Sequence, residues 1–170
     1  TGREKGSATH LFMQFVRYES CTTREGIRQE LVRMQAEKFL TPRQAEAVDA
    51  EKILALFSSE LGKRILNAKN LRREFKFSIL TDAGAYDPAA AGEQVMLQGV
   101  VDCFWQEADG IVILDFKTDY IDGDLQLKAV RYAPQLQAYA RALSLIYGLS
   151  VRKCILYFFS AGKAVEIDPE

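Results

Sequence analysis

The strongest constraint on the fold of this chain is a pair of apolar segments joined by a very short polar connection. The segments span residues 95–105 and 111–117, and residues 106–110 between them read Gln-Glu-Ala-Asp-Gly. Asp-Gly between two such segments is a strong signal for a tight β-hairpin. The chain is therefore predicted to contain an antiparallel pair of strands around which the other elements are arranged.

Two registers of this hairpin are open. If residues 108–109 form the loop, Asp102 lies directly across from Asp115; if residues 109–110 form it, Asp102 lies across from Lys117. Side chains alternate along a strand with a period of two, so both registers place Asp102, Asp115 and Lys117 on one face of the sheet.

The two acids and the lysine admit two interpretations. Opposed strand residues have side-chain origins roughly 4.5–5.5 Å apart, which lets two carboxylates bind one cation, whereas without a cation they repel each other. This favours a metal site at Asp102 and Asp115, with Lys117 offsetting part of the charge. A plain ion pair between Asp115 and Lys117 at a strand end explains the residues equally well.

The remaining patterns predict a mixed α/β fold. Apolar residues recur at helical spacing in five segments and alternate or cluster as in strands in three more. The predicted helices span residues 7–18, 24–39, 42–57, 59–67 and 134–147, and the further strands span residues 74–79, 151–160 and 165–167. Helices, a three-stranded antiparallel meander, a helix and final strands in this order predict a central mixed sheet flanked by helices.

Length and composition are those of one globular domain. The chain has 170 residues, 48% of them hydrophobic, and we expect residues 1–70 to form a helical part and residues 71–170 the sheet core. The first residue is threonine, so we expect a domain excised from a longer protein. No apolar run approaches the roughly 20 residues of a membrane helix and no signal pattern is visible, which predicts a cytoplasmic protein.

Charge and cysteine usage exclude further classes. The three cysteines are far apart and odd in number, which fits neither a disulfide framework nor a zinc or iron–sulfur site. A net charge of −1 gives no overall attraction to nucleic acid, so any DNA contact must come from a local patch or a partner. Six basic residues form one such patch, either a solvated face or a phosphate contact: Lys63, Arg64, Lys69, Arg72, Arg73 and Lys76.

Four short segments resemble the motifs of one enzyme family. Residues 99–102 (Gly-Val-Val-Asp), 114–118 (Leu-Asp-Phe-Lys-Thr) and 135–139 (Gln-Leu-Gln-Ala-Tyr) resemble the G-x-x-D, D-[YF]-K-T and Q-x-x-x-Y motifs of RecB-family nucleases. Residues 6–10 (Gly-Ser-Ala-Thr-His) resemble the opening G-[ST]-x-x-H of this branch of the PD-(D/E)XK superfamily. The resemblance covers nearly the whole chain and is greatest to the C-terminal nuclease domain of AddA-type helicase-nuclease subunits, which lacks an iron–sulfur cluster.

The resemblance implies a restriction-endonuclease-like fold and a magnesium-dependent DNA exonuclease acting in double-strand break repair and recombination. It implies Asp102 and Asp115 as metal ligands, His10 as an additional ligand and the main-chain carbonyl of Phe116 as a further candidate. Manganese is an alternative ion, because magnesium prefers oxygen ligands and an imidazole supplies nitrogen.

The resemblance also implies roles for residues around the ligands. Lys117 would bind the attacking water and stabilise developing negative charge. Gln135 and Tyr139 are four residues apart on one helix face and would support the site or contact DNA. Glu74 on the preceding strand is a candidate supporting residue, although an exposed strand glutamate is equally plausible.

Partners follow from the same resemblance. The chain has no G-x-x-x-x-G-K-[ST] phosphate loop and so cannot hydrolyse ATP by that route. A helicase motor is then expected elsewhere in the full-length chain, with a second helicase-nuclease subunit and DNA as partners and no membrane. Two alternatives stay open: a catalytically inactive nuclease-like module for DNA-end binding or subunit docking, and an unrelated α/β protein whose Asp-Lys strand is structural.

Overall fold

The centre of the molecule is a five-stranded mixed sheet in the order β1-β2-β3-β4-β5. The computed structural model describes residues 1–170. β3 and β4 run parallel and all other neighbours are antiparallel. The strands are β1 (Arg72–Asp82), β2 (Gln94–Glu107), β3 (Gly110–Lys117), β4 (Val151–Phe158) and β5 (Lys163–Ile167). The predicted α/β architecture is therefore confirmed.

Helices cover both faces of this sheet. The N-terminal helices are α1 (Gly2–Phe15), α2 (Arg24–Ala36), α3 (Pro42–Ala47), α4 (Ala50–Ser58) and α5 (Glu60–Asn67), and they share one buried cluster with residues of β2, β3 and β4. The later helices are α6 (Leu125–Val130) and α7 (Ala133–Tyr147), which pack on the opposite face. They also form the crossover that a parallel β3–β4 pair requires.

The first helix begins earlier than predicted. The side chain of Thr1 accepts a hydrogen bond from the Glu4 amide, and the two residues form a reciprocal capping box, so α1 begins at Gly2 rather than at Ser7. His10 consequently lies beyond the middle of the helix and not in its first turn.

Two other helix predictions were wrong in detail. The segment predicted as one helix over residues 42–57 is divided, because Val48 is extended and the Asp49 side chain caps α4 by accepting hydrogen bonds from the next amides. The short helix α6 was not predicted; Asp124 caps it through the Gln126 amide. The helix predicted from Pro134 is confirmed as α7.

The central hairpin has the register in which residues 108–109 form the loop. Glu107 pairs with Gly110 around residues 108–109, and the ladder continues to the pair Cys103–Leu114. In that register Asp102 lies opposite Asp115, one step beyond the last paired residues. The two acids therefore lie where β2 and β3 begin to separate.

The neighbouring strand is kinked beside Asp102. Glu74 has a φ of 50°, which is the left-handed region and costs a residue with a side chain about 1 kcal/mol or more. On one side of it Arg73 donates hydrogen bonds to main-chain carbonyls at the end of α1, and on the other Phe75 packs against the ring of Phe104 on the opposite face. The kink thus moves the side chains of β1 from one face of the sheet to the other.

Helix α1 approaches the end of β3 closely at a glycine. A Cβ atom added to Gly6 would lie 2.6 Å from Oγ1 of Thr118, the residue that follows β3. The absence of a side chain therefore lets the helix reach the strand end. No helix of the chain combines the length and apolar character needed to cross a bilayer.

Candidate metal centre

A cavity of about 250 Å³ opens at the point where β2 and β3 separate. The catalytic and metal-binding residues predicted from the sequence all line it, together with three other residues. The lining residues are His10, Asp102, Asp115, Phe116, Lys117, Thr118, Asp119, Tyr132, Gln135 and Tyr139. Glu74 is not among them, but its charge acts on Asp102 from the adjacent strand.

The predicted residues that line the cavity lie on four secondary-structure elements. Asp102 comes from β2, Asp115 and Lys117 from the end of β3, and His10 from α1. The Q-x-x-x-Y residues come from the first half of α7, which crosses the sheet on the side opposite α1. The cavity therefore lies at one end of the sheet, between the two helical layers.

Asp115 differs from the other buried acid of the chain. Glu30 and Asp115 are the two charged residues that are buried. Glu30 is fully paired, with Arg33 at 2.7 Å and the Arg17 amide at 2.8 Å. Asp115 Oδ2 lies 2.7 Å from Lys117 Nζ, and this ion pair is the one salt bridge of the carboxylate. Asp115 thus has fewer partners than Glu30, which leaves its carboxylate able to take a further ligand.

Asp102 lies beside Asp115 in the same cavity and is half-buried. One of its oxygens accepts a hydrogen bond of 2.8 Å from the Phe116 amide, and His10 Nδ1 lies 3.9 Å from that oxygen. Burial, and then the charge of Asp115, raise the pKa of Asp102 to about 7. Burial also raises the pKa of Asp115, although the charge of Lys117 opposes this. The acids are costly to ionise together unless a cation joins them.

His10 has the properties of a metal ligand rather than of a cation. Burial is the main cause that lowers its pKa, so the imidazole is neutral near pH 7. A neutral imidazole offers the lone pair that a metal binds. A buried and a half-buried carboxylate together with this imidazole fit a divalent ion in their chemistry. No three acidic, histidine or cysteine side chains are close enough together to form a complete cage in advance.

Lys117 is connected to the predicted residues of α7. Its ammonium donates a hydrogen bond of 3.0 Å to Gln135 Oε1, and Gln135 Nε2 in turn donates one of 2.8 Å to the Tyr139 hydroxyl. Gln135 therefore contacts the lysine directly, whereas Tyr139 orients Gln135. Only 13% of the Lys117 side chain is exposed, so the ammonium is held inside the cavity.

Two residues of the cavity, unlike Thr118, lie outside the motifs recognised in the sequence. Tyr132 donates a hydrogen bond through its hydroxyl to the Asp119 carboxylate, which also lies 3.8 Å from Lys128 Nζ. Asp119 is two residues after Lys117, and Tyr132 is three residues before Gln135, so the spacing of each offered a weak signal.

Three of the six residues of the basic patch, which spans α5 to β1, are engaged within the molecule. Lys63 pairs with Glu60 at 2.5 Å, and Arg64 pairs with Glu107 at 2.9 Å. Arg73 donates to main-chain carbonyls of the first helix region. These contacts favour a structural, partly solvated face over a dedicated phosphate site.

Asp102→Asn is expected to stabilise the metal-free chain more at pH 8 than at pH 5. The pKa of Asp102 is about 7 in the folded chain, mainly because of burial, against about 3.9 for an unfolded aspartate. Between these values the folded state retains a proton that the unfolded state has lost, so the free energy of unfolding falls as the pH rises. The advantage of the variant should grow by about 2–3 kcal/mol from pH 5 to pH 8.

Urea unfolding of both proteins in EDTA at the two pH values measures this difference. The introduced amide would keep an oxygen for the Phe116 amide, so the comparison isolates the charge. An equal difference in the free energy of unfolding at pH 5 and pH 8 would contradict the assigned burial of the carboxylate.

A mixed sheet flanked by helices on both faces, whose central hairpin ends in two acids and a lysine, is a fold of the PD-(D/E)XK class. The model of the PD-(D/E)XK nuclease superfamily matches residues 1–167, and the chain belongs to that superfamily.

Within the superfamily, the chain is similar to one component of helicase-nucleases. It is 40% identical over 172 residues to the A subunit of the ATP-dependent helicase/nuclease of Clostridium novyi, and 39% identical over 179 residues to that of Bacillus cereus strain Q1. These matches cover 98% and 99% of this chain but 14% of each relative. Among solved structures, that of SSO0001 matches 94% of this chain and 64% of its own, with 19% identity and a TM-score of 0.43.

Proposed function

We propose that this chain is a divalent-metal-dependent deoxyribonuclease that hydrolyses DNA phosphodiester bonds from an end, with magnesium or manganese as its ion. The observation that carries the proposal is the convergence of Asp102, Asp115 and Lys117 on one cavity, where the buried Asp115 carboxylate lies beside a second acid and 2.7 Å from the Lys117 ammonium. A purely structural Asp-Lys ion pair does not account for a second, half-buried acid and a neutral imidazole beside it.

Asp102, Asp115 and His10 would hold the ion, with the Phe116 carbonyl as a further ligand. A bound divalent cation supplies Lewis-acid polarisation of the phosphate. The Phe116 amide fixes one oxygen of Asp102, which leaves its other oxygen for the ion. With both carboxylates ionised, the bound ion would relieve the part of their repulsion that Lys117 does not offset.

Lys117 would handle the nucleophile. Its ammonium is fixed by contacts to Asp115 and Gln135 but still lines the cavity, so it can donate a hydrogen bond to a water molecule. The positive charge also stabilises the negative charge that develops as that water attacks phosphorus. We propose products with a 5′-phosphate and a 3′-hydroxyl.

The substrate would enter from an open groove beside the site. A larger cavity of about 1000 Å³ shares His10, Thr118 and Asp119 with the metal cavity. Two basic residues of α1, Arg3 and Lys5, line it as well. The groove would give a DNA strand a path to Asp102 and Asp115.

Incubation with end-labelled single-stranded and double-stranded DNA tests the proposal. We expect shortening of the labelled strand in magnesium or manganese and none in EDTA. Intact DNA under all metal conditions, with metal binding retained, would favour a DNA-end-binding or docking module instead.

We further propose a cellular setting from the relatives. The helicase/nuclease A subunits of Clostridium novyi and Bacillus cereus are much longer than the matched region, which corresponds to 14% of each. A helicase motor in the same full-length chain and a second subunit would then feed DNA to this domain during double-strand break repair and recombination.

A further inference from the structure

The ammonium of Lys117 is enclosed by three groups of different chemistry. Asp115 Oδ2 lies at 2.7 Å and Gln135 Oε1 at 3.0 Å. The third group is the ring of Tyr132, whose centroid lies 4.0 Å from Nζ. An ammonium over an aromatic face at this distance is attracted by the negative face of the ring.

The Tyr132 ring is itself anchored through its hydroxyl, which donates a hydrogen bond to the Asp119 carboxylate. Asp119 is fixed in turn, because its main-chain carbonyl accepts a hydrogen bond of 2.6 Å from Ser160 and its carboxylate faces Lys128. Tyr132 also immediately precedes α7, so the ring is tied to the same helix as Gln135.

The three partners of Lys117 differ in whether metal binding would draw them away from the ammonium. Under the proposed function, Asp115 must turn its charge toward the metal, so its hold on Lys117 weakens when the ion binds. The aromatic face has no such competing role. It also attracts the ammonium without neutralising it, whereas a carboxylate in its place would cancel the charge needed at the phosphate.

We propose that Tyr132 is a positioning residue that holds the Lys117 ammonium toward the substrate by its aromatic face. This inference rests on the proposed function, because it assigns Lys117 a role in cleavage. The ring carries the effect, and the hydroxyl contributes only by anchoring the ring to Asp119. A phenylalanine at position 132 should therefore retain most of the effect, and an aliphatic residue should lose it.

Steady-state cleavage by three variants tests the first consequence. We expect Tyr132→Leu to lower kcat about 10- to 30-fold with KM nearly unchanged, and Tyr132→Phe to stay within about 3-fold of the parent. Tyr147→Leu is the matched control, since it makes the same change at the opposite end of α7, where the ring contacts Phe75 and Phe104. It should leave kcat unchanged. If Tyr132→Leu does not fold, Tyr132→Met removes the ring in its place.

The reactivity of the Lys117 amine tests the second consequence without metal or cleavage. In EDTA, limited acylation followed by peptide mass spectrometry gives the labelling rate of each lysine. We expect Tyr132→Leu to raise the rate at Lys117 several-fold relative to Lys163 in the same sample, and Tyr132→Phe to change it little.

The outcomes separate this inference from the proposed function. An equal loss of kcat in Tyr132→Phe and Tyr132→Leu would overturn it, because the hydroxyl and not the ring would then be responsible. Unchanged kcat and unchanged labelling in Tyr132→Leu would also overturn it. A parent protein that never cleaves DNA would refute the proposed function, while increased labelling of Lys117 in Tyr132→Leu would still support the contact.

Discussion

Lys117→Met is expected to reduce DNA cleavage by about 10²–10³-fold while metal binding persists. Methionine fills a similar volume but removes the ammonium that lies among Asp115, Gln135 and Tyr132. Under the proposed function, the variant lacks the donor for the attacking water and for the charge that develops on the phosphate. The loss should appear in kcat at saturating metal, measured with end-labelled DNA.

Metal affinity provides the decisive second measurement for this variant. Lys117 stands 2.7 Å from Asp115 Oδ2, where it competes with a cation for the same oxygen. Calorimetric titration with manganese should therefore show equal or tighter binding in Lys117→Met. Lys163→Met, an exposed position on β5, is the control and should behave as the parent. Cleavage within tenfold of the parent would remove Lys117 from the catalytic machinery.

Asp115→Asn is expected to lose both metal binding and DNA cleavage. The change keeps the shape of the side chain but removes the charge that binds the ion, so we expect metal affinity to fall by at least about a hundredfold and cleavage by about a thousandfold. The same titration and the same cleavage assay measure the two losses. Together, the two variants distinguish the proposed role of Asp115 in metal binding from the proposed role of Lys117 in cleavage.

A matched control for this variant lies on the same hairpin. Asp109 is exposed in the two-residue loop at the opposite end of β2 and β3, and it does not line the metal cavity. Asp109→Asn should therefore leave cleavage and metal affinity at the parent level. Full activity in Asp115→Asn would reject the metal centre, whatever the control shows.

The sequence predicted that Asp102 and Asp115 lie close together because both belong to one hairpin. A two-residue loop sets the register of the whole hairpin, so Asp102 had to lie opposite either Asp115 or Lys117. The alternation of Phe75, Phe77 and Ile79, in contrast, did not reveal the kink at Glu74, because a left-handed residue leaves no mark in a hydrophobic pattern.

Contacts that depend on the crossover were not predictable in the same way. Tyr132 meets Lys117 and Asp119 only because α6 and α7 carry the chain back over the sheet before β4. The position of that return is set by packing of the whole face and not by any local motif. The early start of α1 was missed for a simpler reason, since Thr1 and Glu4 form a cap outside the recognised segment.

The position of His10 depends on the close approach of Gly6 to Thr118, because a side chain at position 6 would clash with the threonine. An α-helix moves as a nearly rigid rod, so a shift that relieved a clash at position 6 would carry residue 10 with it. The imidazole lies 3.9 Å from Asp102, a separation that such a shift would widen. The proposed part of His10 in metal binding is therefore expected to depend on residue 6, which has no side-chain atoms of its own beyond hydrogen.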